Sequence, residues 1–176
     1  LKCDSTNEHF RKDYGDYQDW YISLFKSIDP SLEFETYDVF LGYFPKKLKG
    51  NDVYLISGSR YGAHDGDKWI DDLEKFILQL KKLKHPLIGI CFGHQIIAKA
   101  LGGKTELAYQ GWGVGVQKYQ KIVSESWMEP DLDCLQQDFF YLGSSSGFVQ
   151  DTLLNSLPLE DSMFVFGSNQ HVFDIN

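Results

Sequence analysis

The chain has 176 residues, 43% hydrophobic and 24% charged, a length and balance that suit one globular domain with a single sizeable core. A formal net charge of −8, with lysines scattered apart from Lys81, Lys82 and Lys84, argues against a nucleic-acid or anionic-membrane surface. No apolar run approaches the roughly 18 residues of a membrane span, no signal-peptide pattern is present, and three cysteines at unrelated spacings (Cys3, Cys91, Cys134) fit a reducing compartment, so a cytoplasmic location is expected.

In chain order, residues 1–4 read as the tail of a first strand. Asp16 stands as an N-cap, with Asp19 in the first turn and apolar residues at Tyr17, Trp20, Tyr21, Leu24, Phe25 and Ile28, spaced three and four apart. This predicts an amphipathic helix, stopped by Asp29-Pro30. Residues 34–41, rich in aromatic and β-branched types, predict a strand, and 42–50 a loop. The apolar run 52–57 predicts a central strand ending in a glycine-bearing loop, Gly58-Ser59-Arg60-Tyr61-Gly62. Asp67 opens a long helix: Trp69, Ile70, Leu73, Phe76, Ile77, Leu80 and Leu83 share one face, and Asp71, Asp72 and Glu74 load its first half with acid. Residues 86–90 predict a buried strand, and 95–101 a helix closed by Gly102-Gly103. Beyond Gly102 the texture turns to strand and turn, with strand candidates at 104–108, 114–123, 139–142 and 163–167 and a surface loop at 144–147. The alternation up to Gly102 predicts an α/β fold, an open, mostly parallel sheet with helices on both faces, followed by a β-rich C-terminal part. Ligands of such sheets bind beyond the carboxyl ends of strands, where both the Gly58 loop and Cys91 fall.

Cys91 sits at the turn from the strand 86–90 into the following helix, with Gly89 and Gly93 two residues to either side. A nucleophile on so sharp a turn has strained backbone angles, and its neighbours at minus two and plus two must be small because strand and helix backbones nearly touch. That geometry lifts the sulfur out of the sheet edge, aims the Phe92 N–H at a developing oxyanion and sets the thiol at the positive end of a helix. Helix N-termini favour thiolate, so Cys91 reads as an activated nucleophile.

With the apolar strand before it, Gln95 one turn on and Leu101-Gly102-Gly103-Lys104 after it, Gly89-Ile90-Cys91-Phe92-Gly93-His94-Gln95 resembles the nucleophile elbow of class I glutamine amidotransferases. Their pattern is Gly-x-Cys-x-Gly-x-Gln, followed by a helix ending in Leu-Gly-Gly. The resemblance implies a flavodoxin-like sheet with Cys91 as catalytic nucleophile. It also implies that Gly58, in Ile56-Ser57-Gly58-Ser59, supplies an N–H that shares the oxyanion with that of Phe92, and that Ser59 and Gln95 help hold the γ-glutamyl portion of the substrate. Ala100-Leu101-Gly102-Gly103-Lys104, followed by Gly111-Trp112-Gly113-Val114-Gly115, looks closest to standalone members, among them γ-glutamyl peptidases and GMP-synthase amidotransferase chains. Val149-Gln150-Asp151-Thr152-Leu153 with Leu157-Pro158 is similar to a family segment, although Val149 stands where histidine is usual. The implied activity is hydrolysis or transfer of γ-glutamyl amide groups, from glutamine or a γ-glutamyl peptide, through a γ-glutamyl thioester on Cys91. No cofactor or metal is implied, and any synthetase or acceptor enzyme would be a separate chain.

The family takes its base and orienting carboxylate from a His-x-Glu motif, and this chain contains none. Residues 163–170 resemble what precedes that motif. The expectation is therefore one domain over 1–176 that lacks its extreme N-terminus and its C-terminal catalytic segment. His94, three residues after Cys91, would point along the helix and not across the sulfur, and His171 has no carboxylate two residues on. His9, His64 and His85 read as surface or loop residues, and nothing pairs them as metal ligands. Gly111-x-Gly113-x-Gly115 is a poor dinucleotide fingerprint, because a β segment follows it where a helix should open. Two alternatives stay open: a non-catalytic binding module on the same fold, and an α/β-hydrolase with a cysteine elbow. The second explains Gly-x-Cys-x-Gly but neither Gln95 nor Leu101-Gly102-Gly103.

Overall fold

A computed structural model of the chain describes residues 1–50, 52–103, 105–106, 115–117, 139–141, 148–149 and 163–166. Three short strands, β1 (Tyr54–Ile56), β2 (Leu87–Ile90) and β7 (Met163–Phe166), form a parallel sheet in the order β1-β2-β7. Of residues 1–4, expected as the tail of a first strand, Leu1 and Lys2 join the edge of the sheet by backbone bonds, with one isolated bridge at Lys2. The Leu1 nitrogen donates to Leu55 O at 2.6 Å and Ser57 N to Leu1 O at 3.1 Å, while on the other side Lys2 N donates to Tyr37 O at 2.8 Å and Val39 N to Lys2 O at 3.1 Å. Those alternating bonds are the signature of parallel pairing. Residues 34–41, expected as a strand, contribute only the Lys2–Asp38 bridge. The chain then tightens into a 3-10 helix over Val39–Leu41 that closes on Gly42 at φ 85°, and this curl takes the following carbonyls out of reach of a ladder.

Helices cover the sheet unequally. Helix α3 (Lys68–Lys82) and helix α4 (Phe92–Ala100) pack together on one face, burying Ile70, Leu73, Ile77 and Leu80 from α3 and Phe92, Ile96 and Ile97 from α4 against Ile56 and Leu87. Leu83, expected on the buried face, is the C-cap of α3 and 52% exposed, because it lies past the last helical residue and the chain turns away there. Helix α4 opens at Phe92, three residues before the predicted start, since Cys91 itself is the N-cap. Gly102, at φ 87°, ends it as predicted.

Helix α2 (Tyr17–Ile28) lies toward the opposite face. Asp16 caps it: its carboxylate accepts from Tyr17 N at 2.9 Å and Thr6 N at 2.7 Å, and Asp19 returns the bond by accepting from Asp16 N at 2.8 Å. Its apolar stripe divides. Tyr17, Tyr21, Ile22 and Phe25 line a cavity of about 710 Å³ whose other wall includes Leu1, Leu55, Ser57 and Ile88. Trp20, Leu24 and Ile28 stay exposed at 44%, 56% and 76%, because a stripe that wide cannot turn wholly to one flat sheet. Before it runs helix α1 (Glu8–Tyr14), which the apolar pattern does not announce; the Asn7 side chain caps it by accepting from His9 N at 3.0 Å.

The strands between α4 and β7 form antiparallel pairs, while β7 returns to the parallel sheet. β3 (Thr105–Glu106) pairs with β6 (Phe148–Val149), and β4 (Gly115–Gln117) with β5 (Phe139–Tyr141). β6 was not expected, and the predicted loop at 144–147 lies outside the described residues. Among the described residues no helix is long and apolar enough to cross a membrane.

Candidate active site

Cys91 joins the carboxyl end of β2 to the start of α4 with φ 54° and ψ −108°, angles that a side chain adopts only at a cost of about 1–3 kcal/mol. Close backbone packing imposes them. A Cβ placed on Gly93 would fall 2.1 Å from Ile56 O, and one on Gly89 would fall 2.7 Å from the Gly93 carbonyl and from His94 N. Both predicted elbow glycines are therefore where strand and helix meet without room for a methyl group. Cys91 is half-buried, and its carbonyl accepts from Gln95 N at 3.1 Å, the first bond of α4. The Phe92 N–H belongs to the first turn, where no carbonyl within the helix can reach it. Phe92 itself is 1% exposed and is held by a run of rings, with Trp69 5.5 Å away and Tyr61 5.4 Å beyond Trp69.

Gly58, after β1, lies beside the elbow: a Cβ on it would touch Cys91 Cβ at 3.6 Å. The peptide that follows it is anchored, because Ser57 Oγ donates to Gly58 O at 2.9 Å and accepts from Cys3 N at 2.9 Å. Ser59, expected to hold substrate, has its hydroxyl engaged within the scaffold; it donates to Cys3 O at 2.9 Å and accepts from Tyr61 N at 3.2 Å. Gln95 is buried at 5% exposure one turn into α4. Thus Cys91, Gly58 and Phe92 come together, Gln95 stands one turn away, and Ser59 serves the loop.

Sequence reasoning missed three neighbours. Tyr17 and Tyr21, counted there only as apolar spacing, sit close enough to Cys91 for its charge to act on both phenols. Burial pushes the Tyr21 phenol up to about 12, with the Gly58 N–H opposing the shift, and Tyr17 also rises through burial. The third neighbour is an ion pair. Asp4, 4% exposed, accepts from Arg60 N at 2.9 Å and Arg60 Nε at 2.8 Å, and Arg60 Nη2 reaches Ser5 O at 2.8 Å. It bolts the loop after Gly58 to the end of the first strand. The i, i+4 spacing of two phenols on one helix face was the available signal for Tyr17 and Tyr21.

Burial holds His94 down at about 4, so it is a neutral imidazole of low basicity near pH 7 and a poor acceptor for a thiol proton. His64 is tied to Thr105, by Nε2 to its carbonyl at 2.7 Å, and His85 contacts Asp52 O at 3.2 Å. His171 lies outside the described residues. No group of three or more His, Cys, Asp or Glu side chains positioned to hold a metal occurs among the described residues.

The family model for glutamine amidotransferase class-I matches residues 20–141. The chain is 36% identical to gamma-glutamyl peptidase 4 of Arabidopsis thaliana over 107 residues, which cover 60% of this chain and 42% of that protein. It is 32% identical over 170 residues to a glutamine amidotransferase-like protein of Schizosaccharomyces pombe, covering 82% of this chain and 68% of the relative. Against several of the curated peptidases it matches, the chain spans about half of their length, 42% for peptidase 4 and 45% for peptidase 3 of the same plant. A crystal structure of a glutamine amidotransferase from Thermotoga maritima superposes with a TM-score of 0.53 at 18% identity, covering 73% of this chain and 54% of the other. That likeness supports the fold, and the α/β-hydrolase alternative is set aside.

Proposed function

The chain belongs to the class I glutamine amidotransferase family, and on that premise we propose that it breaks γ-glutamyl amide bonds with Cys91 as nucleophile. The observation that carries this reading is the Cys91 elbow at φ 54°, with Gly58 packed against it and the Phe92 N–H at a helix start. In the proposed reaction the Cys91 thiol gives its proton to a base, and its sulfur bonds to the Cδ carbonyl carbon of the γ-glutamyl group. The oxygen that becomes negative is received by the N–H groups of Gly58 and Phe92. The C–N bond then breaks, the amine leaves with a proton, and a γ-glutamyl thioester remains on Cys91. Water attacks that thioester, glutamate departs and the thiol is restored. Gln95 is proposed to hold the γ-glutamyl portion. The likeness to γ-glutamyl peptidases favours a small γ-glutamyl peptide as substrate; supply of ammonia to a separate synthetase chain is the other form of the same chemistry.

The test measures glutamate and ammonia released from glutamine, and glutamate released from glutathione, by the whole protein and by Cys91→Ala. Release from either substrate that disappears in Cys91→Ala is the expected result, with glutathione the better substrate. A binding module on this fold is the second reading. No release from either substrate, together with no alkylation of Cys91 by a glutamine-mimicking chloroketone, would establish that module and sink the catalytic proposal.

A further inference from the structure

Lys99 stands in the last turn of α4, where a cation answers the helix dipole, but its contacts reach beyond the helix. Its ammonium donates to the carbonyl of Ala63 at 2.8 Å, 36 residues back in the chain, and lies 2.5 Å from a carboxylate oxygen of Glu74 on α3. Ala63 is buried and belongs to the loop that leaves Gly58 and leads into α3. Nearer Gly58, the same loop is held by the bond from Arg60 N to Asp4 at 2.9 Å, so only Tyr61 and Gly62 separate the two anchored residues. Tyr61 is the ring that backs Trp69, and Trp69 backs Phe92. Helix α4 thus opens at the elbow and closes on a side chain that grips the loop carrying Gly58. Resting on the catalytic reading above, we propose that Lys99 is a positioning residue: its ammonium ties the Gly58 loop to the helix that starts at Cys91, and so fixes the spacing of the two N–H groups offered to the oxyanion.

An ammonium carries three donors on one centre, so it can bond to a carbonyl and face a carboxylate at once. The Glu74 carboxylate offsets the cost of half-burying the charge, and because Glu74 lies on the helix packed against α4, the loop and both helices meet at Lys99 Nζ. The helix dipole accounts for a cation at this position but not for its bond to Ala63, which lies outside the helix. Eight residues separate Lys99 from Cys91, about 12 Å along the helix axis, so Lys99 acts through what it holds and not at the sulfur. One oxyanion donor comes from the loop and the other from α4, and both must lie about 3 Å from the same oxygen. A loop free to shift by about 1 Å against α4 would still admit substrate, but it would lose stabilisation of a charge that develops only in the transition state. The next residue, His64, leans on Thr105 with Nε2 2.7 Å from its carbonyl, so loss of Lys99 loosens the loop without freeing it.

The test compares Lys99→Met, which keeps an unbranched stem and removes the charge and its donors, with Lys99→Arg, Glu74→Gln and the wild type, each as the whole protein. Amide hydrogen exchange is read by NMR without substrate. The Gly62 N–H, bonded to the Asp65 carboxylate, and the Asp65 N–H, bonded to Gly62 O, report on the loop, while the Tyr54 N–H, bonded to Pro86 O, reports on the sheet. In Lys99→Met the two loop amides are expected to exchange about tenfold faster or more, with Tyr54 at the wild-type rate. On the better γ-glutamyl substrate, kcat is expected to fall about 10- to 100-fold with KM within about twofold, as befits an interaction made only in the transition state. Lys99→Arg keeps a charged donor for Ala63 and should restore kcat to within about threefold, and Glu74→Gln, which leaves the loop bond in place, should cost less than about threefold. A wild-type kcat in Lys99→Met would overturn the proposal. So would a rise in KM at unchanged kcat, which would make Lys99 part of substrate binding, or a Tyr54 amide that speeds up as much as the loop, which would mean general loosening. Equal losses of kcat in Glu74→Gln and Lys99→Met would overturn it too, by tracing the effect to the helix pair and not to the loop. A wild type without Cys91-dependent turnover defeats the catalytic reading instead, and the exchange of the loop amides still decides whether Lys99 holds the loop.

Discussion

The two glycines nearest the thiol do different jobs, and the difference is measurable. Gly93 is small because a methyl there would fall 2.1 Å from Ile56 O, a contact no rotamer change can relieve, since the obstacle is backbone. Gly93→Ala must move β1 or α4 and is expected to cost about 3 kcal/mol of stability. At Gly58 a methyl group meets Cys91 Cβ at 3.6 Å, ordinary van der Waals contact. Gly58→Ala is therefore expected to fold with a stability loss under about 1 kcal/mol. It crowds the space beside the sulfur where a carbonyl must sit, so turnover should fall about tenfold or more. Urea melts and kinetics on both variants check this, and a Gly58→Ala protein of full activity would remove Gly58 from the proposed oxyanion site. The elbow was legible in the sequence because its constraints are local: a thiol on a tight turn needs small residues at fixed offsets, and Gly89 and Gly93 are those residues. The spacing of Tyr17 and Tyr21 was legible but their nearness to Cys91 was not, because α2 and the elbow are distant in sequence and only the fold brings them together.

Among the elements, α2 shows how a correct helix can carry an incorrect face. Asp16 and Asp19 form the capping box that their spacing offers, but the apolar residues between them and Asp29 do not share one destination. Periodicity identifies a helix; which part of a broad stripe turns inward depends on the partner surface, here a cavity wall formed by segments far apart in sequence. Helix α1 escaped notice for the opposite reason, since it buries nothing and is held by its Asn7 cap. Asp16 also links the helix to the strand edge. Burial pushes its carboxyl up, but the N–H groups of Thr6 and Tyr17 and the Lys2 ammonium, 3.1 Å away, hold it down to about 2. A carboxyl whose folded value is lowered stabilises the fold above its unfolded value near 4, and that contribution is lost as pH falls from about 4 to about 2. A shift of that size corresponds to about 2 kcal/mol. Asp16→Ala should lose about that much at neutral pH, and its stability should change less than that of the wild type between pH 4 and pH 2. Parallel losses in both proteins across that window would show that Asp16 is not the titrating group.

On the scale of the whole molecule, the two sides of one strand should have different energetic weight. Ile56 and Leu55 are neighbours on β1 and point to opposite faces of the sheet, as alternation demands. Ile56 is fully buried in the cluster that α3 and α4 close, and its backbone is pressed against Gly93, so the space vacated by truncation cannot collapse. Leu55 is half-buried and borders the cavity under α2, where contacts are already incomplete. The alternation of strands and helices up to Gly102 made the layered architecture readable from sequence. It could not show that one layer is packed and the other open, because that depends on how closely the helices approach. Ile56→Ala is expected to cost about 3–4 kcal/mol, the range for a buried large-to-small change whose cavity persists, and Leu55→Ala about 1 kcal/mol. Leu55→Phe, which adds volume toward the cavity, should be neutral or stabilising, whereas enlarging a side chain within the α3–α4 core should destabilise. Denaturant titrations of these variants give the comparison directly. Equal costs at Leu55 and Ile56 would mean that α2 closes on the sheet as tightly as α3 and α4 do.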